Sequence, residues 1–243
     1  TMIDRLKKQQ DKLLVSERYS AWESVARKLA HEIKNPLTPI QLSIDRLQEK
    51  YYKEIPRGKE GFKKYLETIN RQIKDIEKLV NEFSSFARMP RPVFKRIDIE
   101  EVLNRAIDFY KMSSLNLIKF KNISNKKLTA QGDEEQLYRV FINLIKNSEE
   151  SILEKKKKNQ QFKGIIDVEI ANNNDYIAIK LQDNGVGNVD TSKIMTPYFT
   201  TKENGTGLGL PIVSKIINEH FGDFLIKNLN EGVVISINLP LSK

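Results

Sequence analysis

The sequence predicts two units in tandem: an α-helical hairpin that becomes a four-helix bundle as a dimer, then an α+β two-layer sandwich. Three observations carry that expectation. Apolar residues recur at steps of three and four up to about residue 88. Two prolines then interrupt the pattern in "RMPRPVFKR". Beyond them, segments of period two alternate with helical segments. The expected boundaries are 1–88 for the hairpin, 89–96 for a linker and 97–243 for the sandwich.

In the first helix Trp22, Val25, Leu29, Ile33, Pro36, Ile40, Ile44 and Leu47 fall within a stripe roughly 100° wide at about 100° per residue. "YYKEIPRGKEG" supplies the Pro and Gly of a helix-to-helix turn. The second helix carries Phe62, Leu66, Ile69, Ile73, Ile76, Val80 and Phe83, the alternating seam of a coiled coil or bundle. Two helices with one narrow seam each bury too little alone, hence the expected homodimer. After the linker, Glu100 to Ser113 reads as helix, "NLIKFKNI" as strand and Asp133 to about Glu154 as a long helix. "GIIDVEIANN" and "DYIAIKLQDNG" alternate as strands. A helix from Leu208 to His220 and the strands "DFLIKNL" and "GVVISINLP" close the chain. The order suggests one mixed sheet with helices on one face.

Composition narrows the function. Of 243 residues 39% are hydrophobic and 30% charged, which reads as soluble and globular, and no apolar run approaches the length of a membrane span. There is no cysteine and only two histidines, so disulfides, thiolate metal sites and a histidine-rich zinc site are not expected. The net charge of +9 is scattered apart from Lys155 to Lys158, which reads as solvated surface, and no nucleic-acid partner is expected. Thr1 with Met2 behind it suggests a fragment of something longer.

"AHEIKNP" sets His31 roughly 200° from Leu29 on the first helix, with Asn35 one turn below on the same face. Such a histidine is either ordinary solvated surface or, with Glu32 to take its second ring proton, a nucleophile. Pro36 gives a local bend just below it. The second unit offers three features suited to one ligand. Asn143 and Asn147 in "NLIKNSEES" share a helix face, and two neutral oxygen donors can hold a magnesium ion and a phosphate chain without adding charge. Asp183 in "DNGVG" can accept a hydrogen bond from an exocyclic amine such as that of adenine, with Gly185 and Gly187 letting backbone pass close to a ring. "NGTGLGL" places Gly205, Gly207 and Gly209 before a helix, so free amides face an anion. Each feature alone is also compatible with ordinary surface or turn.

In this order, "AHEIKNPLTPI", "NLIKNSEES", "DNGVG", "TPYFTTK" and "GTGLGL" resemble the phosphoacceptor, N, G1, F and G2 boxes of the sensor histidine kinases of two-component systems. The stretch "AWESVARKLAHEIKNPLTPIQLSIDRLQEKYY" is particularly similar to nitrogen-regulation kinases of the NtrY type. The resemblance implies a dimerisation and histidine-phosphotransfer domain followed by a GHKL-type ATP-binding domain, with ATP and Mg2+ as cofactors. It implies a response regulator receiver domain as partner, and a cytoplasmic core whose full-length protein is anchored in the inner membrane by segments absent from this chain.

Residue by residue, the resemblance makes His31 the phosphoacceptor, Glu32 its activating group, and Asn35 the assistant of a water that dephosphorylates the regulator. Asn147 matches the magnesium ligand, Asn143 a phosphate-side contact and Asp183 the adenine reader. Lys202 and the stretch Gly205, Thr206, Gly207, Leu208 and Gly209 would contact the phosphates. Met195 stands where phenylalanine is frequent, and Glu150 where many relatives carry a basic residue, so no nucleotide contact is assigned to Glu150. A degenerate scaffold and a GHKL ATPase acting on DNA are the competing readings; the complete boxes argue against the first and the HExxN helix against the second.

Overall fold

The computed structural model describes residues 30, 32–52, 59–87, 89–112, 117–124, 126–187, 190, 193–196, 199, 200, 202 and 205–242. The chain divides into two compact units, Thr1–Pro90 and Arg91–Lys243.

In the first unit α1 (residues 32–51) runs on through Pro36 and Pro39, and α2 spans Lys59–Ala87. Leu37, Ile44, Leu66 and Ile73 pack together with Phe62 against them. Only part of the expected α1 stripe is buried. Ile44 is buried, but Ile33, Ile40 and Leu47 are 37–46% exposed, and Leu37 takes an inward place outside that stripe. The buried positions Ala30, Leu37 and Ile44 lie roughly 60–100° round the helix from a stripe centred on Leu29. On α2 the regular seam is likewise divided: Leu66, Ile73 and Val80 are buried, while Ile69 and Ile76 are 44% and 40% exposed. A helix with one neighbour buries the residues on that neighbour's side, and the apolar band here is wider than one such contact needs. Trp22, Val25, Leu29 and the Phe83 side chain lie outside the described residues.

The second unit begins at strand β1, Lys95–Asp98. Lys95 and Arg96 thus belong to paired backbone rather than to open chain. β1 pairs antiparallel with β3 (Thr129–Gly132), and neither strand was legible in the sequence. The expected single sheet is therefore corrected to two: this pair, and a five-stranded sheet in the order β2-β4-β5-β7-β6. Its members are β2 (Leu117–Asn122), β4 (Ile165–Asn173), β5 (Tyr176–Asp183), β6 (Asp223–Asn228) and β7 (Val233–Pro240). β2 is parallel to β4, and every other neighbouring pair is antiparallel, so the sheet is mixed.

Helices α3 (Ile99–Lys111), α4 (Glu134–Lys158) and α5 (Gly209–Glu219) form the second layer. Alternation in the strands makes this possible. Ile166, Val168, Ile170, Ile177, Ile179, Leu181, Ile235 and Ile237 are buried, while the intervening positions carry Glu169, Lys180 and Ser236 on the other face. Glu169 and Lys180 are register partners and lie 3.9 Å apart. From α4, Leu137, Phe141, Leu144, Ile145 and Ile152 are buried against this layer.

Aspartates start two of the helices. The Asp98 carboxylate accepts from the Glu100 amide at 3.0 Å, and Asp133 accepts from the Gln136 amide at 3.1 Å. Asp133 also accepts the Val93 amide at 2.9 Å, which ties the segment before β1 to the start of α4. α5 has no side-chain cap at its N-terminus. Its other end closes in a Schellman arrangement, Gly222 N–H to Ile217 carbonyl at 2.8 Å and Phe221 N–H to Asn218 carbonyl at 3.0 Å. Phe221 occupies there the left-handed position that glycine usually takes, at φ 59°. Among the described residues no helix is long and apolar enough to cross a membrane.

Candidate functional site

The site is organised by α4. Its outer residues Asn143, Asn147, Glu150 and Ser151 follow at steps of three or four, or directly, and so lie along one side of the helix. Asn143 donates from Nδ2 to the Arg139 carbonyl at 2.9 Å, which holds its amide in one rotamer with Oδ1 outward. Gly209, first residue of α5, faces both asparagines: a Cβ there would lie 3.5 Å from Asn143 Oδ1 and 3.9 Å from Asn147 Nδ2. The uncapped amides of α5 thus open beside two neutral side chains, an arrangement that suits an anion.

Lys202 reaches the same edge. Its ammonium donates to Asn147 Oδ1 at 3.4 Å and to Glu150 Oε2 at 2.5 Å. Its own amide is held by Thr200 Oγ1 at 3.1 Å. Asn147 Oδ1 therefore already faces a positive charge, which is the polarity a magnesium ligand needs. Among the described residues no cluster of three or more His, Cys, Asp or Glu forms a metal site, so any cation here would take most of its ligands from phosphate and water.

Asp183 ends β5 and is 4% exposed. Ser148, next to Asn147 on α4, donates to its Oδ2 at 3.0 Å, and the Gly185 amide donates to Oδ1 at 2.9 Å. Burial pushes its carboxyl above the ordinary value of 3.8; the Gly185 amide, the Ser148 hydroxyl, the Val233 amide and the Lys202 charge pull it back. Both oxygens keep lone pairs for a further donor.

The glycines after it are required by protein contacts as well. A Cβ on Gly185 would lie 2.8 Å from the Ser151 backbone carbon, and one on Gly187 (φ 65°) 2.8 Å from the Gly232 carbonyl. The space they leave is filled by protein. What they permit is close seating of the loop on α4 and on the β6–β7 turn.

Several residues of this scaffold were not singled out from the sequence. Ser148 and Ser151 hold Asp183 and the Val186 amide, and Asn184 bridges from the Ile165 amide to the Lys163 carbonyl. Lys155, expected to be solvated, donates to the Asn184 carbonyl at 2.9 Å, pairs with Glu231 at 3.2 Å and lies 4.4 Å from the centre of the Phe162 ring. The signal available was the spacing 148, 151, 155 on one face of the helix.

Gly205 and Thr206 are half-buried and Leu208 is buried, while Gly207 adopts φ 67°. In the first unit Glu32 and Asn35 are exposed on α1, and His31 itself lies outside the described residues.

Residues 21–92 match the His Kinase A (phospho-acceptor) domain, and residues 132–243 match the histidine kinase-, DNA gyrase B- and HSP90-like ATPases. Together they cover both units. The chain belongs to the sensor histidine kinases. Among the kinases similar to it is a putative NtrY-like sensor histidine kinase of Rickettsia prowazekii, 38% identical over all of this chain and 40% of that protein. The nitrogen regulation protein NtrY of Azorhizobium caulinodans is 38% identical over 94% of this chain and 30% of its own length. The chain thus spans well under half of these sensor kinases. The catalytic domain of histidine kinase ThkA, at 26% identity, covers 61% of this chain and 95% of its own with a TM-score of 0.53. ThkA in complex with the response regulator protein TrrA matches 98% of this chain and 67% of its own at 22% identity and TM-score 0.63, a likeness of fold.

Proposed function

We propose that this chain is a catalytic core that phosphorylates its own His31 from ATP and then passes the phosphoryl group to an aspartate of a response regulator receiver domain. One observation carries the reading: Asn143, Asn147, Asp183, Lys202 and the uncapped start of α5 meet along α4. Asp183 reads the exocyclic amine of adenine. Lys202 and the amides of Gly205 to Gly209 face the phosphates, and Asn143 lies on the phosphate side. Asn147 would hold Mg2+, which neutralises charge on the phosphate oxygens when bound.

In the transfer one ring nitrogen of His31 attacks the γ-phosphorus as the bond to the bridging oxygen breaks. ADP leaves, and Glu32 takes the proton from the second ring nitrogen. Phosphoryl transfer depends on positioning and charge compensation, and the parts divide accordingly. The second unit, from β1 onward, holds the nucleotide, residues 1–88 carry the acceptor, and the segment before β1 joins them. Asn35, one turn from His31, carries a neutral amide that orients a water for regulator dephosphorylation without adding charge beside the phosphoryl group. That the ThkA complex contains a response regulator protein supports the choice of partner. The exposed residues Ile33, Ile40, Leu47, Ile69 and Ile76 support a homodimer through the hairpin.

One radiolabel series tests this reading. With γ-labelled ATP and magnesium, the protein should gain acid-labile, base-stable label, and His31→Gln should gain none while still binding ATP. Label retained by His31→Gln would assign the acceptor elsewhere. Followed through to regulator decay, Asn35→Ala should keep most autophosphorylation and slow dephosphorylation by about 10- to 1000-fold, the scale of one lost polar catalytic group. Decay equal to wild type would leave Asn35 a surface residue.

A further inference from the structure

We propose that Glu150 is a positioning residue that sets the phosphate affinity of the nucleotide site by holding the Lys202 ammonium in competition with the ligand. The inference rests on the nucleotide reading above. Glu150 lies one turn beyond Asn147 on α4, and its Oε2 is 2.5 Å from Lys202 Nζ. The two side chains are 39% and 31% exposed, so water screens the pair only in part. A single ammonium cannot make its best contact with a carboxylate and a triphosphate at once. The same charge sits 3.4 Å from Asn147 Oδ1, at the edge where the phosphates are placed. Nucleotide entry therefore either draws Lys202 off Glu150 or seats an anion within a turn of a carboxylate.

Two neighbours fit this exchange. Lys146 stands 3.9 Å from Glu150 Oε1, so the carboxylate keeps a cation when Lys202 turns away. The Tyr110 hydroxyl, pushed up to about 12 first by burial and then by Glu149 and Glu150, lies close enough to feel the same carboxylate. A basic residue at position 150 would compete with Lys202 for phosphate; the acid here competes with phosphate for Lys202. The site is thereby tuned toward weaker nucleotide binding without loss of any ligand group.

The test is a double-mutant cycle on the whole chain, reading dissociation constants for magnesium-ATP and for adenosine by calorimetry. Glu150→Gln should tighten ATP binding by about 3- to 10-fold, the scale of a partly exposed ion pair. Adenosine, which has no phosphates, should bind as it does to wild type. In a Lys202→Met background the same substitution should change ATP binding by less than about 2-fold. Equal or weaker ATP binding by Glu150→Gln overturns the inference. So does tightening that persists without Lys202, because Glu150 would then act by direct repulsion. If wild type binds neither ATP nor adenosine, the proposed function falls and the inference with it. If wild type binds ATP and Glu150→Gln is neutral, only the inference falls.

Discussion

Asp183 is a carboxylate placed where solvent does not reach, and its neighbours only partly compensate. Its folded-state value lies above 3.8, so the native state binds more protons than the unfolded chain between the two values. Stability therefore falls as pH rises through that window, and the ionised group costs stability at neutral pH. Asp183→Asn keeps an oxygen for the Gly185 amide and removes the buried charge. Without nucleotide it should melt no lower than wild type at pH 7.5, with the difference shrinking as the pH approaches 4. ATP binding should weaken by about 10- to 100-fold, the cost of facing an amine with a mismatched partner. A variant that melts well below wild type at neutral pH would assign Asp183 to structure; unchanged ATP affinity would remove it from adenine recognition. Position 150 is the other residue at which chemistry departs from pattern. Its role is visible only beside Lys202, which lies 52 residues away in the chain.

At the scale of elements, the start of α4 and the end of α5 are tied by one histidine. His220 is 2% exposed; its Nε2 accepts the Asp133 amide at 2.9 Å while Nδ1 donates to the Ile216 carbonyl at 2.8 Å. Both ring nitrogens are used in opposite senses, so the neutral tautomer fits and a second proton would break the contact to α4. Burial lowers its value below 6.5, opposed by the Ile216 carbonyl and the Asp133 charge. The unfolded chain then binds the extra proton first. Stability from this group is complete above about 6.5 and is lost as pH falls through the lowered folded value. Wild type should thus lose more of its thermal midpoint between pH 7.5 and pH 5 than His220→Gln does, although the variant starts lower. Parallel pH profiles for the two proteins would show that another group governs the loss. Phe94, whose ring centre is 5.2 Å from that of His220, places the segment before β1 in the same junction. His220 thus joins α4, α5 and that segment through one neutral tautomer.

For the whole molecule the open question posed by the hairpin is what covers its second apolar face. Ile40 and Ile69 are 46% and 44% exposed, on the half of the heptad that the single chain leaves outward. Ile40→Glu with Ile69→Glu would be nearly neutral on a free surface. In a dimer it sets carboxylates into a seam, and the loss of two buried isoleucines alone is worth about 3–6 kcal/mol. The dimer dissociation constant should rise by at least about 100-fold. Light scattering coupled to size exclusion checks this: a dimer for wild type and a monomer for the double variant. A monomeric wild type at tens of micromolar would sink the four-helix arrangement. Far-ultraviolet circular dichroism should show that the ATP-binding unit stays folded in the variant, since its core is made within residues 91–243.

What the sequence determined by itself is what short-range chemistry determines. The period of four and three marks α2, and strict alternation marks β4, β5 and β7. These signals act within a turn or along a pleat, so they survive without tertiary context. The boxes around His31, Asn147, Asp183 and Gly207 were legible for the same reason, each being a handful of adjacent residues. Tertiary structure alone decided what depends on distant partners. β1 and β3 are four residues each and exist through one another. The buried half of the hairpin heptad is selected by the facing helix, and the gaps beside Gly185 and Gly187 are filled by Ser151 and Gly232. The bonds of Lys155 to Asn184 and Lys202 to Glu150 close separations of 29 and 52 residues. Such contacts leave no local trace, because loop closure grows only slowly in cost with length and any of many lysines could have met any of many acids.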